Sequence, residues 1–249
     1  MDFTLQQYRC LLTALKKHPQ YRIRHDVDLR PEQSLKVAQI EVEAGVRATY
    51  YFRSMHFDSH ADTIRAIVSL GHEAGYHYEC LTTCRGDVEA AYADFQRNLA
   101  RLREMVPVQT ACAHGSPRSP WNSQEIWNHH DIHALGITYE PMLDSDFSRT
   151  LYLTDTGRRW DGYKVSLRDK VPHYQQQWEQ EGLLFHSTAE IIAALNNPHH
   201  PIHRYQLLVS THPQRWLPFG VGYLWEACSQ SVKNSVKRLL VLCQKEPRR

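Results

Sequence analysis

Short runs of β-branched, aromatic and apolar residues alternate with stretches of helical periodicity along most of this chain, and that alternation limits the possible folds more than any other feature. Strands are predicted over residues 21–27, 48–52, 73–78, 109–113, 137–140, 151–153, 183–185 and 205–210. Apolar positions at helical spacing predict helices over residues 3–18, 34–44, 61–70, 87–105, 123–135, 188–195 and 226–243. Pro31 suits a first helical turn, Gly45 a helix stop and Asp87 an N-cap. Strand–helix alternation implies an α/β fold with a parallel sheet, and about seven such strands in one domain suit a distorted (β/α) barrel. We expect a single domain over residues 1–249, with residues 1–20 as an N-terminal helix and 217–249 as a C-terminal helix and tail. Residues 141–182 are the least regular and are expected to form a long insertion able to cover a site.

Composition narrows the function classes. Hydrophobic residues at 42% and charged residues at 22% argue against disorder. A net charge of +2 without a long basic run argues against nucleic acid as a main partner. The short basic tail, residues 245–249, reads as a frayed terminus. No apolar run approaches the roughly 20 residues that span a bilayer. The first residues lack the pattern of a signal peptide, so a cytoplasmic location is expected. The six cysteines include no Cys-x-x-Cys pair and read as free thiols, several of them buried. The sixteen histidines are the outlier, and they direct the search towards a metal or acid–base site.

Polar residues gather just past the predicted strand ends, the rim where parallel α/β folds build their sites. In His25-Asp26-Val27-Asp28, two carboxylates two apart on extended chain point to one side. Such a pair needs a cation or a shared proton; one member can hold a metal while the other serves as general base. The competing reading is an aspartate capping the next helix. In Gly71-His72-Glu73-Ala74-Gly75-Tyr76-His77-Tyr78-Glu79, His77 and Glu79 end the third strand, and both are ordinary zinc-ligand types. His72, at that strand's start, reads as a solvated loop histidine. His114, followed by Gly115, ends the fourth strand, and His212, in Ser210-Thr211-His212-Pro213, ends the last. Three further groups, His129 with His133, His56 with His60, and His199 with His200 and His203, read as mostly surface. No Gly-x-Ser-x-Gly elbow or Gly-rich phosphate loop is present.

Arg24-His25-Asp26-Val27-Asp28, the Gly71–His77 segment and Thr211-His212-Pro213 together resemble a divergent branch of the polysaccharide deacetylase (NodB-homology) superfamily, carbohydrate esterase family four. The resemblance runs from about residue 20 to about residue 216 and implies a distorted (β/α) barrel. It implies a metal-dependent deacetylase that uses a divalent ion, zinc in the family's usual manner, and acts on a sugar or sugar precursor, for example in surface polysaccharide biosynthesis. Hydrolysis of a non-sugar amide and an inactive sugar-binding pseudoenzyme are the alternatives. By the same resemblance Asp26 is the base, His212 the general acid, and Asp28 and His77 metal ligands. The family's second ligand histidine falls at Leu81 here, so the third ligand must come from elsewhere, with His114 and Glu79 as candidates and His25 close by as a ligand or its support. The family's base-orienting arginine is also missing at the matching strand end, where only Arg118 is near. Tyr76, Asp155, Trp160 and Trp216 are the candidates for contact with substrate, core packing being the ordinary use of any single aromatic.

Overall fold

The computed structural model describes all residues except Pro117, Arg118, residues 163–165, Leu167 and residues 245–249, together with the side chains of residues 236–244. Arg118, the Cys243 side chain and the basic tail therefore lie outside the described residues. In chain order the elements are α1 (Leu5–Leu15), β1 (Tyr21–Val27), α2 (Pro31–Glu43), β2 (Thr49–Phe52), α3 (Ala61–Ser69), β3 (Glu73–Tyr78), α4 (Cys80–Thr83), α5 (Val88–Arg103) and β4 (Ala111–Ala113). They continue with α6 (Pro141–Asp144), β5 (Thr150–Thr154), α7 (Pro172–Gln180), α8 (Thr188–Asn196), β6 (Gln206–Thr211) and α9 (Val221–Gln244). The strand order is β4-β3-β2-β1-β6-β5. The α/β class and the barrel-like strand order are as expected, with six strands among the described residues instead of about seven.

The missing strands have local causes. Residues 137–140 make only an isolated bridge, Thr110 to Tyr139, because Glu140 turns to cap α6 through the backbone N–H groups of Met142 and Leu143. Leu183 and Phe185 are buried, but as packing residues on irregular chain after Gly182, whose φ of +74° ends the preceding helix. The helix predicted over 123–135 is two 3₁₀ segments, Ser123–Asn128 and His133–Leu135. The polar run between them breaks the apolar stripe, and Asp131 accepts a hydrogen bond from the His133 amide instead. Residues 141–182, the least regular stretch by sequence, carry the strand expected at 151–153 as β5 and, in addition, α6 and α7.

The described chain falls into two compact units, residues 24–145 and residues 1–23 with 146–249. In the first, β2 pairs in parallel with β1 and β3, and β3 with β4, in a register that sets Asp26 beside Tyr51, Tyr51 beside Gly75 and His77 beside Cys112. Gly75 is required there: a Cβ would lie 2.5 Å from the Tyr51 ring and 2.8 Å from Thr110 Oγ1. Asp87 caps α5 by accepting from the Ala90 amide, as expected, and α5 buries Phe95 against Tyr76 and Tyr78. Burial of each such ring is worth about 1.5–3 kcal/mol. In the other unit β5 pairs in parallel with β6, and α1 buries Tyr8, Leu11, Leu12 and Leu15. Trp216 packs there between Phe3 and Tyr8.

Candidate metal centre

The candidate centre lies within the unit of residues 24–145 and is assembled from successive strand ends. Alternation along β1 sends Arg24 and Asp26 to one face and His25 to the other. Asp28 follows the strand, its amide bonded to the Asp26 carbonyl. It does not cap α2, whose N-cap position is Arg30 in a left-handed conformation, without a side-chain cap. That removes the capping explanation for the two aspartates. The carbonyl of Asp28 is held by His56 Nε2 at 3.1 Å, so His56 is buried and not the surface residue expected.

Asp28, His77 and His114 come together, with one ligand-type atom from each lying within 4.8 Å of the others. The Nε2 atoms of His77 and His114 are each 3.5 Å from Asp28 Oδ1. Two ligands each about 2.1 Å from a tetrahedral ion stand about 3.4 Å apart, so this donor set fits a divalent ion. The far nitrogens are engaged elsewhere: His77 Nδ1 donates to the Cys112 carbonyl at 3.0 Å, and His114 Nδ1 is 2.9 Å from Glu79 Oε2. Burial alone would lower the pKa of His77, but the carboxylates of Asp26 and Asp28 outweigh it and raise that pKa above the ordinary histidine value.

Asp26 sits beside these groups. Arg24 Nη2 donates to its Oδ2 at 3.0 Å, and both side chains are almost wholly buried. Asp26 Oδ1 is buried and has no hydrogen-bond partner among the described residues. A carboxylate gripped on one oxygen and unbonded on the other is suited to accept a proton from a small molecule placed against it. Asp26, His77 and Cys112 form a second close group. Arg24 Nη1, 2.8 Å from Cys112 Sγ, puts a positive charge into that group and makes it a poor seat for a cation.

Several expected site residues fall elsewhere. His25 is not among the close groups: on the far face of β1, its Nε2 is 2.8 Å from Glu41 Oε1 and its ring stacks on Tyr50. Tyr50 donates to Glu41 Oε2 at 2.5 Å. His72 is buried in the same cluster and is not the solvated residue expected. Its Nδ1 accepts from the Ala48 amide while Nε2 donates to the Ala38 carbonyl, so it is neutral, and burial lowers its pKa. Tyr76 lies in the core against Phe57 and Phe95, its hydroxyl on Cys80 Sγ, and presents no ring to a substrate. Glu79 has both oxygens occupied, Oε1 by Arg53 and Oε2 by His114 and Ser116. Leu81, where the resemblance places a ligand, is buried in α4.

In the other unit, His212 Nδ1 is 2.7 Å from Asp155 Oδ1. Asp155 is fully buried and also accepts from Arg215 Nη1 and from Trp216 Nε1 at 2.9 Å. Burial would raise its pKa, but Arg215 and His212 outweigh that and lower it. Asp155 is thus a support for its neighbours and not a surface for substrate. Trp160 and Trp216 are buried with Phe3 in one aromatic cluster, the packing alternative for both.

The sequence reading overlooked Arg24, Arg53 and Glu140. Arg24 was legible, two residues before Asp26 on one strand face. Glu140 was not. Its buried carboxylate accepts from the amides of Ala113, Met142 and Leu143 and from the Tyr78 hydroxyl, and so anchors the strand end that carries His114. Glu140→Ala orphans these donors and is expected to destabilise the chain by about 3 kcal/mol. Urea denaturation checks this; a loss below about 1 kcal/mol would remove the anchoring role.

No family model matches this chain, and no curated protein matches it. Solved structures align at low identity. One is a CE4 family pseudoenzyme from Bacillus anthracis, 11% identical over 88% of this chain, with a TM-score of 0.45. This chain spans about 62% of that protein's length. Another is a Streptococcus mutans CE4 esterase, 12% identical over 96% of this chain and 87% of its own, with a TM-score of 0.47. A third is a variant of the peptidoglycan deacetylase PdaC from Bacillus subtilis, 11% identical over 89% of this chain and 98% of its own, with a TM-score of 0.40. No helix among the described residues is long and apolar enough to cross a membrane.

Proposed function

We propose that this chain is a metal-dependent hydrolase that removes an acetyl group from a sugar or sugar precursor, with zinc as its resident ion. The observation that carries the reading is the meeting of Asp28, His77 and His114 beside a carboxylate, Asp26, that has one oxygen unbonded. Asp28 Oδ1 and the two Nε2 atoms would hold the ion, which when bound supplies Lewis-acid polarisation of the acyl oxygen and a more acidic water. Asp26 Oδ1 takes the proton of the attacking water, while Arg24 keeps the carboxylate oriented. We assign His212 as the acid that protonates the leaving amine or alcohol. Support for that role is local: Asp155 Oδ1 lies 2.7 Å from Nδ1 and fixes the ring, and the acid role calls for the doubly protonated ring, with a proton on Nε2 as well.

Two measurements test this reading. Purified protein is expected to carry about one divalent ion per chain by elemental analysis. It is also expected to release acetate from N-acetylated amino sugars, and to lose that activity when the ion is removed by a chelator. A chain that takes up none of zinc, manganese or cobalt ends the metal reading. Uptake with acetate release from simple amides alone would replace the sugar with another substrate.

A further inference from the structure

The third ligand position has its own supporting apparatus, and nothing in the resemblance supplies it. We propose that Glu79, clamped by Arg53, is the positioning residue that makes His114 a metal ligand; this rests on the metal-hydrolase reading above.

An imidazole can ligate through Nε2 only if that nitrogen is unprotonated, and what the ring donates through Nδ1 decides this. A carboxylate only accepts hydrogen bonds, so the 2.9 Å contact from His114 Nδ1 to Glu79 Oε2 places the ring proton on Nδ1. The lone pair of Nε2 then faces Asp28 Oδ1, 3.5 Å away. Glu79 cannot swing off, because Arg53 donates to its other oxygen from Nε at 3.1 Å and Nη2 at 2.5 Å. Ser116 Oγ, 3.3 Å from Oε2, closes the same side.

Comparison with His77 shows why His114 needs this help. His77 lies inside β3, and its Nδ1 is held by a main-chain carbonyl of the adjoining strand, Cys112. His114 lies one residue beyond β4, its amide bonded to the Tyr78 carbonyl at 2.7 Å. Beyond that point the backbone no longer orients the ring, and a side-chain partner does so.

The test is a double-mutant cycle on zinc affinity, read by competition with a chromophoric chelator on the full chain. Glu79→Ala is expected to weaken zinc binding about 10–100-fold. Glu79→Gln, whose amide oxygen can still accept from Nδ1, should lose less. In a His114→Ala background, Glu79→Ala should cost no further affinity, because its effect passes through His114. An equal loss in both backgrounds, or no loss in the native background, overturns the proposal by making the Glu79–Arg53 pair a merely structural clamp. If Glu79→Ala does not fold by circular dichroism, Glu79→Gln and Arg53→Met carry the same cycle under the same criterion. Failure of the unsubstituted protein to bind zinc, manganese or cobalt is a different result: it ends the metal reading itself.

Discussion

Asp26→Asn is expected to lower kcat by about 10²–10⁴ while leaving divalent-ion affinity nearly unchanged. Asparagine has almost the same shape and still offers Arg24 an acceptor, so the local packing survives. What it loses is the capacity to take a proton at Oδ1, the oxygen with no hydrogen-bond partner among the described residues. The proposed ion-binding atoms belong to Asp28, His77 and His114, a set that excludes Asp26, so metal uptake serves as the internal control. Metal-saturated kcat, read beside zinc affinity, separates the two roles. Undiminished kcat with normal zinc uptake would remove Asp26 from the base role; loss of both together would make it a ligand. The buried Arg24 loses its charged partner, so some fall in stability accompanies the change.

Glu41→Ala should show the largest stability loss of any substitution described for this chain, about 3–5 kcal/mol. Glu41 has no exposed surface, and its two oxygens take the Tyr50 hydroxyl and His25 Nε2, with His72 Nδ1 3.7 Å away. Removing the carboxylate leaves two polar side chains buried without their acceptor. The effect bears on the centre as well, because His25 on one face of β1 fixes Asp26 on the other, and a one-residue slip would exchange the faces. Urea denaturation of the metal-free protein measures the loss directly. A change under about 1 kcal/mol would show that water or repacking satisfies the cluster, and that the register is held elsewhere.

These two residues also mark how much of the molecule was legible in the sequence. β1 and β3 appear where alternation and β-propensity put them, over Tyr21–Val27 and Glu73–Tyr78. Both are interior strands with strong local preference, and both end at polar residues that a strand core would not keep. The errors fall where local preference was weak or was outbid. The stretch 123–135 has helical spacing, but its polar middle bonds to its own backbone. The stretch 183–185 has strand-like residues, but no strand among the described residues pairs with it. α7 was missed because only Tyr174 and Trp178 mark its apolar face, among glutamines that carry no periodic signal.

The sequence by itself determined the alternating α/β plan and the placing of Asp26, Asp28, His77, His114 and His212 just at or past strand ends. Both follow from local chemistry: period-two alternation, turn residues, and carboxylates and imidazoles where the chain leaves the core. Tertiary structure alone decided which of these residues meet. It joined His114 to Asp28 and His77, turned Glu79 from a possible ligand into the partner of His114, and sent His25 to the opposite face with Glu41. The physical reason is that a ligand set depends on distances between strand ends, which strand order and register fix. Both come from pairing across the sheet between residues far apart in the chain, so no local pattern encodes them.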